Sequence, residues 1–421
     1  MKQAVKKIIP VFLIDWYHYL LALLGAVFYF FPSESIKVIG ITGTNGKSST
    51  VEMISRMLEA AGKRTAVLSS IKFKVGDRVW QNDLKMTMPG RFRIQKLLRQ
   101  AVKDHCDYAI VEVTSEGIKQ HRHRFISFHT AIFTNLSPEH IEAHQGFENY
   151  RAAKGELFKR TKKVHIVNLD DENADYFLQF SAEKKMGFGI KTSPEKHIVD
   201  RFIKAENIEK TFFGVKFNFE NTVFSVFLPG EFNIYNALAA ISLAVSEGID
   251  LESCRVGLER IRKIPGRMEE VISTPFKVIV DYAFTPNALE KVYQTIRQDF
   301  KPKKMICVLG ACGGGRDKWK RPVLGELAKK YCDSVIVTNE DPYDENPWDI
   351  INGVLKGVGE KGEKLLDRKE AIAKAIKRAS LGDAVVITGK GCEPWMMYEN
   401  GRKIPWDDRE IVREEFEKIK T

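Results

Sequence analysis

Gly43-Thr44-Asn45-Gly46-Lys47-Ser48-Ser49 carries glycines, an ammonium and hydroxyls in an order that suits a polyphosphate. Glycines let backbone N–H groups curl round phosphate oxygens, and a helix starting at the lysine adds its partial positive charge. Lys47 would reach the β- and γ-phosphates of a nucleotide, and the Ser48 hydroxyl would ligate Mg²⁺. The general GxxxxGK[ST] spacing would put a glycine where Ile41 stands, so the loop departs from that pattern.

Other candidates lie at the ends of apolar runs. Glu112 closes Tyr108-Ala109-Ile110-Val111, where a carboxylate could hold Mg²⁺ beside Ser48. Glu139, His140, Glu142 and His144 cluster after Thr130 to Phe133, and His140 could bind a second metal or a phosphate. His121 and His123 stand among Arg122 and Arg124, which reads equally as a solvated basic face. Lys154, read alone, is a surface lysine. Pro265-Gly266-Arg267, Gly313-Gly314-Gly315-Arg316 and Gly389-Lys390-Gly391 are turns that could present N–H groups and cations to an anion.

These residues need strands and helices to position them. Ile36 to Ile39 reads as a buried strand, and Val51, Ile54, Met57, Leu58 and Ala61 fall at helical spacing. Further near-continuous apolar runs at 65–68, 107–113, 130–135 and 163–168 suit parallel strands buried on both faces. Residues 185–229 read as an antiparallel patch. A second alternation of strands and helices begins after a linker near Pro265. The fold class is therefore α/β: a central doubly wound P-loop-type ATPase domain over 36–265, then a Rossmann-like α/β domain over 266–421. A hydrophobic helical segment over 1–35 precedes both.

The chain has 421 residues and a net charge of +11 spread along its length. No nucleic-acid motif accompanies that charge, which leaves phosphorylated substrates or an anionic membrane surface as partners. The six cysteines are dispersed without a CxxC pair, so reduced thiols are expected rather than a zinc ribbon or a disulfide framework. Lys2, Lys6 and Lys7 precede an aromatic-rich apolar stretch that Asp15 and His18 interrupt. Its uninterrupted part, Tyr19 to Phe31, is 13 residues, short of the roughly 20 a spanning helix needs. It reads either as an anchor lying in a membrane interface or as a helix packed on the protein.

The ordered motifs resemble the Mur ligase family, ATP-dependent amide-bond-forming ligases of cell-wall precursor synthesis. The family loop GTNGK[ST] is met by Gly43 to Ser48, which accounts for the displaced glycine. Glu112-Val113-Thr114-Ser115, Phe133 to His140, Tyr150 to Phe158, Asn168 to Asp171, Gly230 to Ala237, Pro265 to Glu269, Asp281 to Leu289, Gly310 to Arg321, Gly389 to Glu393 and Asp407 to Glu410 follow in family order. Within the family the chain is most similar to the branch that adds the third stem-peptide residue, the tripeptide synthetases.

The resemblance implies transfer of the γ-phosphoryl group of ATP to a muramoyl-peptide carboxylate, then attack by an amino acid's amine on the acyl phosphate. It implies ATP and Mg²⁺ as cofactors and catalytic roles for Lys47, His140 and Lys154. Ser48 and Glu112 would hold the first Mg²⁺ and His140 the second, supported by a carbamylated Lys154. Asn233, Asn236, Arg267 and Asp281 match positions near the nucleotide. Thr114, Ser115, Arg316, Asp341, Tyr343, Gly389 and Glu393 match substrate positions. A monomer in the cytoplasm, with the N-terminal segment at the inner face of the membrane, is the expected setting.

Several residues depart from the family. Glu340-Asp341-Pro342-Tyr343 lacks the arginine that clamps the far carboxylate of diaminopimelate, and Glu340, Asp341, Asp344 and Glu345 suggest a pocket for a cationic side chain such as lysine. Phe284, Cys392 and Glu116 replace family histidines. About 35 hydrophobic residues stand where the tripeptide synthetases carry a UDP-binding domain, so either UDP-sugar is held differently or the acceptor is lipid-linked. Two other readings share the loop: a folylpolyglutamate synthase-like ligase, and a non-catalytic ATP-binding scaffold of wall synthesis.

Overall fold

Strand β1 (Lys37–Thr42) is buried at every residue after Lys37 and lies in the middle of a nine-stranded sheet. A computed structural model describes residues 10–192, 194–211 and 214–420. Lys2, Lys6 and Lys7 lie outside them. The other strands are β2 (Thr65–Leu68), β3 (Lys72–Val75), β4 (Arg78–Gln81), β5 (Tyr108–Glu112), β6 (Phe128–Phe133), β7 (Val164–Asn168), β8 (Lys184–Gly189) and β9 (Arg201–Lys204). Their order is β4-β3-β2-β5-β1-β6-β7-β8-β9. All neighbours are parallel except β3 and β4, which form an antiparallel hairpin on one edge. Sequence reading placed 185–229 in one antiparallel patch. Instead β8 and β9 extend the parallel sheet, and only β10 (Glu206–Thr211), β11 (Gly214–Phe219) and β12 (Thr222–Val226) pair antiparallel.

Parallel strands with apolar residues on both faces need a helical layer on each. One layer contains α2 (Lys47–Ala60) and α5 (Phe232–Ser246), counted after α1 (Val11–Phe28), α3 (Arg91–Lys103) and α4 (Phe147–Arg160). Strand order reverses at β1, with β5 on one side and β6 on the other. The crevice outside the carboxyl ends of these strands is the topological switch point, where open α/β sheets bind ligands.

The second sheet runs β13-β14-β18-β15-β16-β17. Its strands are β13 (Glu269–Ile272), β14 (Lys277–Asp281), β15 (Met305–Leu309), β16 (Ser334–Val337), β17 (Gly362–Lys364) and β18 (Ala384–Thr388), parallel apart from β13. Cys307 on β15 forms a disulfide with Cys332, which follows helix Lys320–Tyr331. This corrects the expectation that all thiols are free. A spacing of 25 residues gives no sequence signal, but it spans a strand and the helix that returns beside it.

Helix α1 is a single helix packed on α3. Ala22 and Ala26 are buried, and a Cβ on Gly25 would lie 3.5 Å from the Phe92 backbone, so small residues allow the close approach. No helix among the described residues is long and apolar enough to cross a membrane.

Glu247, the residue after α5, ties the amino ends of the three central strands together. It accepts hydrogen bonds from Lys37 Nζ (2.6 Å), Tyr108 OH (3.0 Å) and His129 Nε2 (2.9 Å). Burial alone would raise its pKa, but these donors hold it down to about 2, against an ordinary 4.5. The carboxylate therefore contributes stability that is fully present above pH 4.5 and is lost as pH falls toward 2. Glu247→Gln is expected to lower stability in urea by about 1–3 kcal/mol at neutral pH. The gap between variant and wild type should narrow on acidification through that window, and a gap that stays constant would contradict the assignment.

Candidate functional site

The loop after β1 has one backbone solution. Gly43 has φ +150° and Gly46 φ +85°, and a Cβ on either would fall 2.0 Å from Thr134 Oγ1 or 2.4 Å from Asn236 Oδ1. The segment following β6 braces the loop from below. Thr134 Oγ1 and Asn135 Nδ2 donate to Asn45 O (2.7 and 3.0 Å), Asn45 N donates to Asn135 Oδ1 (3.0 Å), and Thr44 N donates to Asn135 O (2.8 Å). The loop backbone is thus fixed before any ligand arrives.

Lys47 Nζ donates to Gly43 O and Thr44 O, each at 2.9 Å, and Lys154 Nζ donates to the same Gly43 O at 2.9 Å. Lys154 projects from α4 and is 2% exposed, so it is no surface lysine. Burial, with Lys47 as a second cation beside it, drives its pKa well below the ordinary lysine value. Burial lowers that of Lys47 too. Glu139 is the near anion. One of its oxygens accepts from Lys320 Nζ at 2.8 Å, and the other, Oε2, is buried with no hydrogen-bond partner. His140 has φ +58° and receives Arg316 Nη1 at 3.2–3.3 Å, and burial followed by the Arg316 charge pushes its pKa down to about 2.

On the other side of the loop, Ser48 Oγ lies 2.7 Å from Ser70 Oγ, and Ser70 N donates to Glu112 Oε1 at 2.9 Å. Arg267 donates to Ser48 Oγ at 3.2 Å and lies over the Tyr282 ring. Asn236 and Asn233 are hydrogen-bonded to each other at the start of α5, beside Gly46. Asp281 accepts from Met268 N and Ala283 N and so orders the chain around Arg267, while burial raises its pKa.

Among the described residues no group of three or more His, Cys, Asp or Glu side chains is arranged to hold a metal. Ser48, Glu112 and the orphaned Glu139 oxygen are instead a sparse set of hard oxygen donors. That fits Mg²⁺, which takes few protein ligands and keeps phosphate oxygens and water for the rest. His140 faces Arg316.

At the far end of the cleft, Asp341 accepts from Lys390 Nζ (2.8 and 2.9 Å), Met397 N (2.8 Å) and Lys85 Nζ (2.5 Å). Glu393 accepts from Lys390, Lys85 and Tyr282 OH. Although burial alone would raise its pKa, Lys390 and then Lys85 hold Glu393 at about 2. Glu345 pairs with Arg321, Asp344 accepts from Asn400 N, and burial raises the pKa of Glu340, which accepts from the Cys312 thiol. Asp341, Asp344 and Glu345 therefore already have partners, while Glu340 keeps one buried oxygen, Oε2, without a hydrogen-bond partner, which weighs against a pocket built for a cationic side chain. Arg316, by contrast, has no carboxylate partner among the described salt bridges.

Most of the residues singled out from the sequence line one cleft of about 900 Å³: Gly43 to Ser49, Glu112, Thr114, Ser115, His140, Lys154, Asn233, Asn236, Arg267, Asp281, Arg316, Asp341, Tyr343, Gly389 and Glu393, whereas His121, His123, Glu142, His144, Asp344, Glu345 and Lys390 do not line it. Thr114 Oγ1 caps the short helix Ser115–Lys119 by accepting from Gly117 N. Gly389, at φ +108°, has no room for a side chain, since a Cβ would meet Glu340 Oε2 at 1.9 Å. Sequence reading missed Ser70, Lys85 and Tyr282. Ser70 and Lys85 sit in loops with no periodic pattern, and only their partners reveal them.

The Mur ligase middle domain family matches residues 41–244, and the Mur ligase, glutamate ligase domain family matches residues 266–391. The chain is 39% identical to the UDP-N-acetylmuramoyl-L-alanyl-D-glutamate–2,6-diaminopimelate ligase of Syntrophomonas wolfei, over 94% of this chain and 81% of that protein. It is 35% identical to the UDP-N-acetylmuramyl-tripeptide synthetase of Roseiflexus sp., over 93% and 81%. A solved UDP-N-acetylmuramoyl-L-alanyl-D-glutamate–2,6-diaminopimelate ligase superposes with TM-score 0.61 at 28% identity, covering 92% of this chain and 79% of that one. Mycobacterium tuberculosis folylpolyglutamate synthase with ADP gives TM-score 0.70 at 18% identity, covering 88% and 91%, a likeness of fold alone.

Lys47 bonds only loop carbonyls, so Lys47→Met should shift the melting temperature little. Binding of ATP by titration calorimetry should weaken by about tenfold or more. Unchanged affinity would remove Lys47 from the phosphate site.

Proposed function

This chain belongs to the Mur ligase family and is an ATP-dependent, ADP-forming acid–amino-acid ligase, and we propose that it adds an amino acid with a neutral or anionic side chain to a muramoyl-peptide precursor. One observation carries the reading. A single cleft has an excess of cations at the phosphate loop and a charge-balanced pair of carboxylates opposite.

The acceptor carboxylate attacks the γ-phosphorus of ATP and ADP leaves. The amine of the amino acid then attacks the acyl carbon, phosphate leaves, and the amine loses a proton. Transfers of this kind depend on positioning and charge neutralisation more than on covalent work by the protein. Lys47 and the loop N–H groups hold the β/γ-phosphates, with Asn233 and Asn236 beside them. Arg267, brought by the C-terminal domain and fixed by the turn Asp281 orders, neutralises phosphate charge near Ser48.

Ser48, Glu112 and Glu139 would hold Mg²⁺, which would supply charge neutralisation and orientation of the phosphate oxygens. Lys154, with its amine driven toward the neutral form, is suited to take up carbon dioxide as a carbamate, which would turn a redundant cation into an anion beside Glu139. His140 sits beside both. Thr114 and Ser115 contact the acceptor. Arg316, half-buried and without a carboxylate, receives the carboxylate of the incoming amino acid. The chain works as a monomer, and peripheral membrane contact through the N-terminal helix belongs to the same reading.

The test is phosphate release from ATP and Mg²⁺ with UDP-N-acetylmuramoyl-dipeptide, adding amino acids one at a time. Release that needs one amino acid and matches a mass gain on the acceptor is expected, and EDTA should abolish it. Turnover only with a folate acceptor would support the folylpolyglutamate synthase-like reading instead. ATP binding with no turnover on any acceptor would support the scaffold.

The paired carboxylates generate a second expectation. Lys85→Met leaves Asp341 and Glu393 sharing one ammonium, so kcat/KM for lysine relative to alanine should rise by about tenfold. Lys85→Arg, which keeps the charge, should not change that ratio.

A further inference from the structure

Of the twenty large apolar side chains the described residues leave exposed, nine lie between Phe12 and Phe30. Helix α1 turns its small residues toward α3 and its large ones to solvent. Trp16 is 67% exposed and Phe28 66%, and the patch continues through Phe30 at 76%. Patches of this kind on soluble domains mark interaction sites. The border is basic. Arg93, Lys96 and Lys103 of α3 are exposed, and Arg99 lies over the Phe30 ring. The one acidic residue of α1, Asp15, is bonded to His121 Nε2 at 2.7 Å.

Beside Phe31 a second cavity, of about 510 Å³, is lined by His123, Lys159 and Arg160. His123 is 2% exposed and neither of its ring nitrogens has a partner. That cavity offers two cations, which also pair with Glu156 at 3.7 and 3.4 Å, an imidazole with no hydrogen-bond partner, and one carboxylate, Glu34, next to the apolar face.

We infer that α1 lies on an anionic phospholipid surface, its large side chains among the acyl chains and a headgroup phosphate in the cavity of His123, Lys159 and Arg160. An aromatic and aliphatic face with a cationic border is the composition of an interfacial helix, and α1 is too short and polar to span. A second copy of the chain fits less well, because an isologous contact would set the α3 cations of the two copies against each other. The docked helix also orients the cleft. Asp15 and Tyr19 hold His121 and Phe125, while Gln120 and Arg122 of the same loop line the cleft. Resting on the ligase reading, this places the acceptor end at the membrane, where a lipid-linked acceptor would be presented.

Flotation of the full chain with phosphatidylcholine vesicles, with and without phosphatidylglycerol, tests the surface. Binding to the phosphatidylglycerol vesicles only, weakened by salt, is expected. Trp16→Glu and Leu20→Glu should each cut vesicle binding by about tenfold or more. They should leave the melting temperature and phosphate release with a soluble acceptor unchanged. Lys159→Glu should weaken binding to the anionic vesicles while the apolar face stays intact. The inference fails if the chain floats with neither vesicle, if Trp16→Glu binds as well as wild type, or if sedimentation shows a dimer that Trp16→Glu abolishes. Phosphate release is read separately, so loss of ligase activity and loss of lipid binding are distinguishable.

Discussion

Two ammonium groups on one carbonyl oxygen, those of Lys47 and Lys154 on Gly43 O, set the terms for the rest of this molecule. Lys154 is buried and Lys47 half-buried, and the neighbouring carboxylate, Glu139, is already bonded to Lys320. Water-excluded charges of one sign repel strongly and are driven toward their neutral forms. Such an arrangement persists because the surrounding backbone is rigid, and a polyanion relieves it. The glycine conformations and the brace from Thr134 and Asn135 supply that rigidity, so the site keeps its charge deficit without collapsing.

Topology explains why these groups meet. The loop after β1 is flanked by the ends of β5 and β6, so Glu112 and Thr134 arrive beside it from strands that are distant in sequence. Glu247 holds the opposite ends of the same three strands together. The C-terminal sheet points its own strand ends into the same cleft and adds Arg267, Arg316 and Lys320. More positive charge thus comes from across the cleft, and a bound polyphosphate favours the two domains staying together.

Local signals made the phosphate loop and the strand-end residues legible, since strand, glycine turn and helix follow one another within a few residues. The alternating apolar runs likewise gave the two sheets. Lys154 was not legible from periodicity. It has the surroundings of a surface lysine in sequence, and only the family pattern set it apart, whereas the fold buries it against Gly43. The acidic residues from Glu340 to Glu345 were legible as charges but not as pairs, because their partners come from far along the chain. Lys85 lies 308 residues from Glu393, and no reading of either neighbourhood connects them. The disulfide was hidden because its cysteines stand 25 residues apart, and the edge hairpin of β3 and β4, though local, because each strand is only four residues, too short for alternation to show.

The cleft is asymmetric in charge, and the asymmetry fits the order in which the substrates must react. The phosphate end lacks negative charge and gains it from the nucleotide. At the other end, Asp341 and Glu393 face Lys85 and Lys390, two of each sign, with hydrogen bonds completing their shells. Lys390 belongs to the same domain as the carboxylates, but Lys85 comes from the central domain. The balance at this end is therefore completed from across the cleft, an arrangement that in the proposed cycle a polyphosphate between Lys47 and Arg267 would favour. In the proposed ligase cycle the amino acid would meet this pocket once the nucleotide bridges the two domains, so that the acyl phosphate would form beside a site already shaped for the amine that consumes it.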